Sequence, residues 1–279
     1  MGKIYYTPFM KEYIDIRQPI VEGLFYPSDP DKLEKKIASL LNINSVKQRV
    51  GNSIIVPHGG WDFTGDYIAT GFNSILKKDY KKVIIISNVH REFTNTITVP
   101  ESRYFLIGNK KIKIDLDAIK VIINKGKKVV QSNTPHMEEH GIESVLPFVS
   151  YLYPEAKIIP ILLGKTVVSL VRNLANIIKE IKDDNTLIIV TSNFSDYIKE
   201  ERAKEIGNLG ISLVESGKMS ELVELTRTNK LQTCGAGAIS SLILLGDYKE
   251  INTLKAGVSK QTPLSGGKAT YYGAFSFNN

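Results

Sequence analysis

Two of the four histidines in this 279-residue chain stand directly after strand-like apolar runs. Residues 52–57 lead into His58, and residues 83–89 lead into His90. A short, continuous apolar run reads as a parallel strand covered on both faces. In an open α/β sheet, ligands bind just beyond the carboxyl ends of such strands. Imidazoles delivered there by two strands could share a metal ion or a substrate. The lone cysteine, Cys234, precedes an apolar stretch at 237–245 that reads as a helix. The positive end of a helix favours thiolate, and with it metal ligation or nucleophilic attack. The competing reading is a small buried hydrophobe.

Two polar clusters accompany these residues. In Glu138-Glu139-His140-Gly141-Ile142-Glu143, His140 and Glu143 are three apart, which on a helix puts both on one face. A Glu-His pair can orient a metal-bound imidazole or contact substrate; the alternative is an acid-rich helix start. Asn193-Phe194-Ser195-Asp196 leaves another apolar run at the same expected sheet edge, where Asp196 could act as a base or a ligand. Gly59 and Gly60 let the chain turn sharply between His58 and Trp61. His136, after Thr134-Pro135, is expected on the surface. Around Cys234 there is no Gly-x-x-x-x-Gly-Lys-Ser/Thr and no Gly-x-Gly-x-x-Gly, which disfavours a nucleotide site.

The elements that must position these groups alternate between helix and strand. Helical spacing is expected over 30–41, with Asp29 or Ser28 as N-cap. Further helices are expected over 65–76, 116–124, 167–181, 202–216, 219–228 and 237–245. A helix over 141–152 is broken by Pro147 or begins near it. Strands are expected at 157–164, 186–192 and 271–277, and 97–100 with 104–112 read as an inserted hairpin. No repeat or long linker divides the chain. The expectation is a single α/β domain over 1–279, with a mostly parallel central sheet flanked by helices.

Composition narrows the class. The chain is 42% hydrophobic and 23% charged, an ordinary globular balance. Its net charge of +7 comes from scattered lysine pairs such as Lys77-Lys78 and Lys127-Lys128, without an aromatic-rich binding motif, so no nucleic-acid partner is expected. One cysteine excludes an internal disulfide. The stretch Met1-Gly2-Lys3-Ile4-Tyr5-Tyr6 lacks the apolar core of a signal peptide, and no run approaches the roughly 18 apolar residues of a membrane span. A cytoplasmic location is expected.

Six segments, in order, carry a resemblance to a known family. They are Gly23-Leu24-Phe25-Tyr26-Pro27, Pro57-His58-Gly59-Gly60-Trp61 running on to Gly65, and Glu139-His140-Gly141-Ile142-Glu143 with Leu146-Pro147-Phe148. The others are 191–197, Cys234-Gly235-Ala236-Gly237 and 271–275. Together they resemble the MEMO family, whose members are similar to the class III extradiol dioxygenases of LigB-like fold. The resemblance implies a metal site of two histidines and a cysteine, here His58, His90 and Cys234. It implies iron or copper; two imidazoles and a thiolate also suit zinc, but not magnesium or calcium. His140, Glu143, Asn193 and Asp196 would form the polar wall of the pocket, and Trp61 the apolar one.

The chain departs from the family pattern at three places. Pro57-His58-Gly59-Gly60-Trp61 stands where the family usually has Pro-His-Ala-Gly-Tyr, and Gly141 where it has a serine. Asn193-Phe194-Ser195-Asp196 replaces Asp-Phe-Ser-His, so Asp196 occupies the position of an acid/base histidine. The metal ligands are retained, whereas the proton-transfer groups are altered. The leading expectation is a protein that holds a redox metal through His58, His90 and Cys234 and that, if it is an enzyme, is a dioxygenase-like, metal-dependent oxidoreductase in which Asp196 and His140 handle protons. The alternatives are a scaffold or binding protein that takes a peptide or small anion in the same pocket, and hydrolysis by zinc-bound water with Asp196 as base.

Overall fold

The computed structural model describes residues 15–76, 79–91 and 94–278. Met1 to Tyr6 and the Lys77-Lys78 pair therefore lie outside the described residues. Eight strands form one sheet: β1 (Ser53–Val56), β2 (Lys82–Asn88), β3 (Ile97–Val99), β4 (Val129–Gln131), β5 (Lys157–Leu163), β6 (Thr186–Thr191), β7 (Glu250–Val258) and β8 (Tyr271–Asn278). Their order across the sheet is β7-β8-β1-β6-β2-β5-β3-β4. The four central strands, β1, β6, β2 and β5, are parallel. They are the continuous apolar runs of the sequence, and almost every side chain in them is buried.

The sheet is mixed rather than parallel throughout. On one side β8 runs antiparallel to β1, and β7 antiparallel to β8. On the other, β3 is antiparallel to β5. The expected hairpin is redistributed: Ile97–Val99 joins the main sheet, while Tyr104–Ile107 and Lys110–Lys113 pair with each other. Ile16–Arg17 adds a third short strand to that hairpin.

Helices cover both faces. Along β8, Tyr271 and Gly273 meet Gly207 and Ile211 of the Glu200–Glu215 helix. The intervening Tyr272 meets Tyr67 of the Trp61–Ser74 helix edge to face, with ring centroids 5.6 Å apart. This is the alternation a strand imposes when both sides are buried. The Val168–Ile181 helix buries Leu170, Val171, Leu174, Ala175, Ile178 and Ile181, the periodic stripe its sequence carries. Asp29, rather than Ser28, caps the Pro30–Ile43 helix by accepting from the Lys32 N–H at 2.9 Å. One hydrophobic cluster runs from Val21 to Phe277. Among the described residues no helix is long and apolar enough to cross a membrane.

Two local expectations are corrected. Residues 139–145 form a turn, with the helix beginning at Leu146, so His140 and Glu143 do not share a helical face. His136 is buried, not on the surface: it lies in the short Asn133–Glu138 helix, and its Nε2 is 3.3 Å from the Thr98 carbonyl.

Candidate metal centre

Strand order brings the ligand-type residues together. β6 lies between β1 and β2, with Val56 opposite Thr191 and Ile86 opposite Val190. The three strands therefore exit at one edge, delivering His58, Asn193 and His90 side by side. Gly59 takes a φ of +136°, a region glycine adopts without steric cost, and the chain turns at once into the Trp61–Ser74 helix. Cys234 arrives from the segment before the Ala236–Leu245 helix and is stitched to the end of β6. Its N–H donates to the Asn193 carbonyl at 3.2 Å, and its Sγ accepts from the Asn193 N–H at 3.2 Å. Gly235 is needed here because a Cβ would stand 2.6 Å from that of Ser192.

The result is a compact donor set. One ligand atom from each of His58, His90 and Cys234 lies within 4.8 Å of the others. Ligands about 2.0–2.3 Å from a shared tetrahedral metal would stand roughly 3.3–3.8 Å apart, so a small inward closure completes such a site. His58 is buried, Cys234 half-buried and His90 at the mouth, which leaves one side of the cluster open.

Each imidazole is oriented from behind. Nδ1 of His58 lies 3.1 Å from Thr191 Oγ1, and its Nε2 is 3.6 Å from Cys234 Sγ. The Asn193 side-chain oxygen accepts the His58 N–H at 3.2 Å. Nδ1 of His90 is 2.7 Å from the Glu139 carboxylate, which also accepts the backbone N–H groups of His90 and Arg91. Carboxylate and hydroxyl partners of this kind fix ring orientation and tautomer at metal centres.

The electrostatics follow from this crowding. Burial disfavours the Cys234 thiolate, but the adjoining His58 and His90 outweigh it and draw the thiol well below its ordinary value. Burial also opposes a charge on His90, yet hydrogen bonds to Cys234 and Glu139 raise it to about 10. Burial opposes the Glu139 carboxylate as well, and the hydrogen bond from His90 more than compensates, leaving its pKa lowered.

The other expected residues fall into two groups. His140 joins the cluster, its ring 5.3 Å from His58 and 5.4 Å from His90, with Phe25 against its far side at 5.4 Å. Burial and the two neighbouring histidines lower its pKa to about 4, so it is neutral at pH 7. Asp196 sits at the exposed exit of β6, its pKa raised by burial and by Cys234. Trp61 and Glu143 face inward instead. The Trp61 ring packs on Tyr26 and Phe148, with Nε1 donating to the Ser144 carbonyl at 2.9 Å. Glu143 is buried in an ion pair with Arg17. Glu139, Thr191, Arg17 and Phe25 had not been singled out individually. For Glu139 the signal was there, since it directly precedes His140 in the acid-rich run.

A family model described as Memo-like protein matches residues 17–263, a span that contains every residue of this cluster. The chain belongs to the Memo-like family. Its relatives include a MEMO1 family protein of Methanobrevibacter smithii, 26% identical over 253 residues and covering 85% of this chain and 90% of the relative. Another, from Thermotoga neapolitana, is 23% identical over 262 residues, covering 88% and 93%. A solved structure, an uncharacterized protein of Escherichia coli K12, aligns with a TM-score of 0.48 and 9% identity over 80% of this chain and 98% of its own. Within a Memo-like chain, the two histidines and the cysteine thus lie at one sheet edge, as the resemblance implies.

Proposed function

We propose that this Memo-like protein holds a redox-active metal, iron or copper, through His58, His90 and Cys234, and that it works as an oxidoreductase on a small-molecule substrate. The observation that carries the reading is the convergence of three ligand-type side chains, two of them oriented from behind by Thr191 and Glu139. Two nitrogens and a thiolate are a donor set for iron, copper or zinc. When bound, iron or copper would supply Lewis acidity and one-electron chemistry at the open side of the cluster.

The chain's own residues do the rest. Neutral His140, beside both ligand histidines, accepts a proton from a group bound at the mouth. Asp196, at the rim, passes protons to and from water. Phe25 packs edge-on against His140 and limits the ring's freedom to turn. In the cytoplasm, where thiols stay reduced, Cys234 keeps its ligand form.

Metal content of protein purified without oxygen or chelator tests this, beside His58→Ala, His90→Ala and Cys234→Ala. The expected result is about one iron or copper per chain, lost in all three variants. Failure to bind iron, copper or zinc on reconstitution would overturn it. One observation favours a second reading. The Ala236–Leu245 helix starts just after Cys234, and its positive end would attract a peptide carboxylate or small anion to a metal-free binding protein; equal ligand affinity with and without metal would support that instead.

A further inference from the structure

The last carbonyl oxygens of a helix have no donors within it. At the end of the Asn133–Glu138 helix, Arg17 supplies them. Its Nε donates to the His136 carbonyl at 2.9 Å, and its Nη2 to the Glu139 carbonyl at 2.9 Å. Its Nη1 meets the Glu143 carboxylate, and both side chains are buried. Glu143 in turn gathers the segment that follows Arg17. It accepts from the N–H groups of Ile20 at 2.9 Å and Val21 at 3.0 Å, and from the Tyr26 hydroxyl at 2.8 Å. The Phe25 carbonyl accepts the Trp61 N–H at 2.9 Å, tying the same segment to the turn after His58.

We propose that Arg17 and Glu143 are positioning residues for the metal centre, acting through Glu139 on His90. The inference rests on the metal reading above. Arg17 sets where the backbone of residue 139 stands, and the side chain of residue 139 then orients the His90 ring. A planar guanidinium can reach two carbonyls and a carboxylate at once. A lysine ammonium keeps the charge opposite Glu143 but not the fork. The pair is therefore more than a buried anchor for the segment 17–26: it transmits the position of that segment to a ligand.

Arg17→Lys and Glu139→Gln, singly and together in the full chain, test the inference with two readouts. One is Zn(II) affinity by competition with a chromophoric chelator. The other is the ring-nitrogen chemical shifts of His90 in metal-free protein. Each single variant is expected to weaken zinc binding about 10- to 100-fold and to move the His90 shifts. The double variant should be no weaker than the worse single one, because both remove the same support. Unchanged affinity and shifts in a folded Arg17→Lys protein, or effects that multiply in the double variant, would overturn it. The shifts need no metal. A wild-type chain that binds neither zinc nor, on reconstitution, iron or copper would sink the metal reading while the shifts still decide the positioning. Should Arg17→Lys fail to fold, Tyr26→Phe, which removes one donor to Glu143, should move the same readouts less, and no movement would overturn the inference.

Discussion

The Nδ1 atom of His90 lies 2.7 Å from a Glu139 carboxylate that is itself buried, so the outermost ligand-type side chain is held from the interior. Residue 90 stands two positions beyond the end of β2, where backbone pairing no longer positions it. The carboxylate takes over that role with three contacts, to the ring and to the N–H groups of residues 90 and 91.

Titration of His90 should expose this. In metal-free protein it is expected to stay protonated to about pH 10, because Cys234 and Glu139 favour the charged ring against burial. Glu139→Gln removes one of those partners and should bring the midpoint down toward 6.5. Ring carbon shifts followed across pH report both values. A midpoint near 6.5 in the wild-type chain would refute the pairing.

Thr191 does for His58 what Glu139 does for His90. Thr191→Val keeps the volume and removes the hydroxyl 3.1 Å from Nδ1. Zinc affinity is expected to fall about tenfold or more. Thr191 is fully buried, so stability should be followed in parallel by urea denaturation. A drop in stability with zinc affinity intact would assign Thr191 to the core alone.

At Gly141, where the resemblance implies a serine, the space for a side chain is already filled. A Cβ there would be 2.1 Å from Ser87 Oγ and 3.2 Å from Thr191 Oγ1. Gly141→Ser should destabilise the chain by about 1–3 kcal/mol through overpacking. Ser87→Gly should recover much of that loss by opening the space. A denaturation double-mutant cycle measures the coupling; purely additive effects would show that residues 87 and 141 do not compete.

His136 makes the fold sensitive to acid. Burial holds it neutral down to a pKa of about 3, against 6.5 in the unfolded chain. Between those values the unfolded state binds the extra proton. Stability present above pH 6.5 is therefore lost as pH falls, at up to about 1.4 kcal/mol per unit. His136→Leu lacks this loss, so its stability deficit against wild type should shrink as pH is lowered through that window. Urea midpoints at several pH values would show it. A constant deficit would mean that the native ring is charged.

The sequence made the centre of the sheet and its ligand-type residues legible for one reason: each directly flanks a strongly patterned run, the two histidines after a strand and Cys234 before a helix. β2, β5 and β6 are continuous apolar segments, and His90 and Asn193 follow directly from two of them. β7 was not foreseen, because Glu250–Val258 is half-exposed along most of its length and carries no clean alternation. Residues 97–99 read as hairpin because local pattern cannot choose between two partners. At the site, Glu143 reads as a partner of His140 only on the premise of a regular helix. The turn that follows instead leaves Glu139 on His90 and Glu143 on Arg17. Arg17 had no local signal at all, since its partners lie more than a hundred residues away.

The placement of β6 between β1 and β2 also orders events during synthesis. A nascent chain emerging from its N-terminus presents both strand-end histidines before the strand that separates them, and Cys234 comes later still. Contacts this distant in sequence form late, because closing the intervening loops costs entropy first. The paired imidazoles therefore acquire their spacing only once most of the polypeptide has been made, and a half-synthesised chain offers a passing metal ion no ready-made cradle.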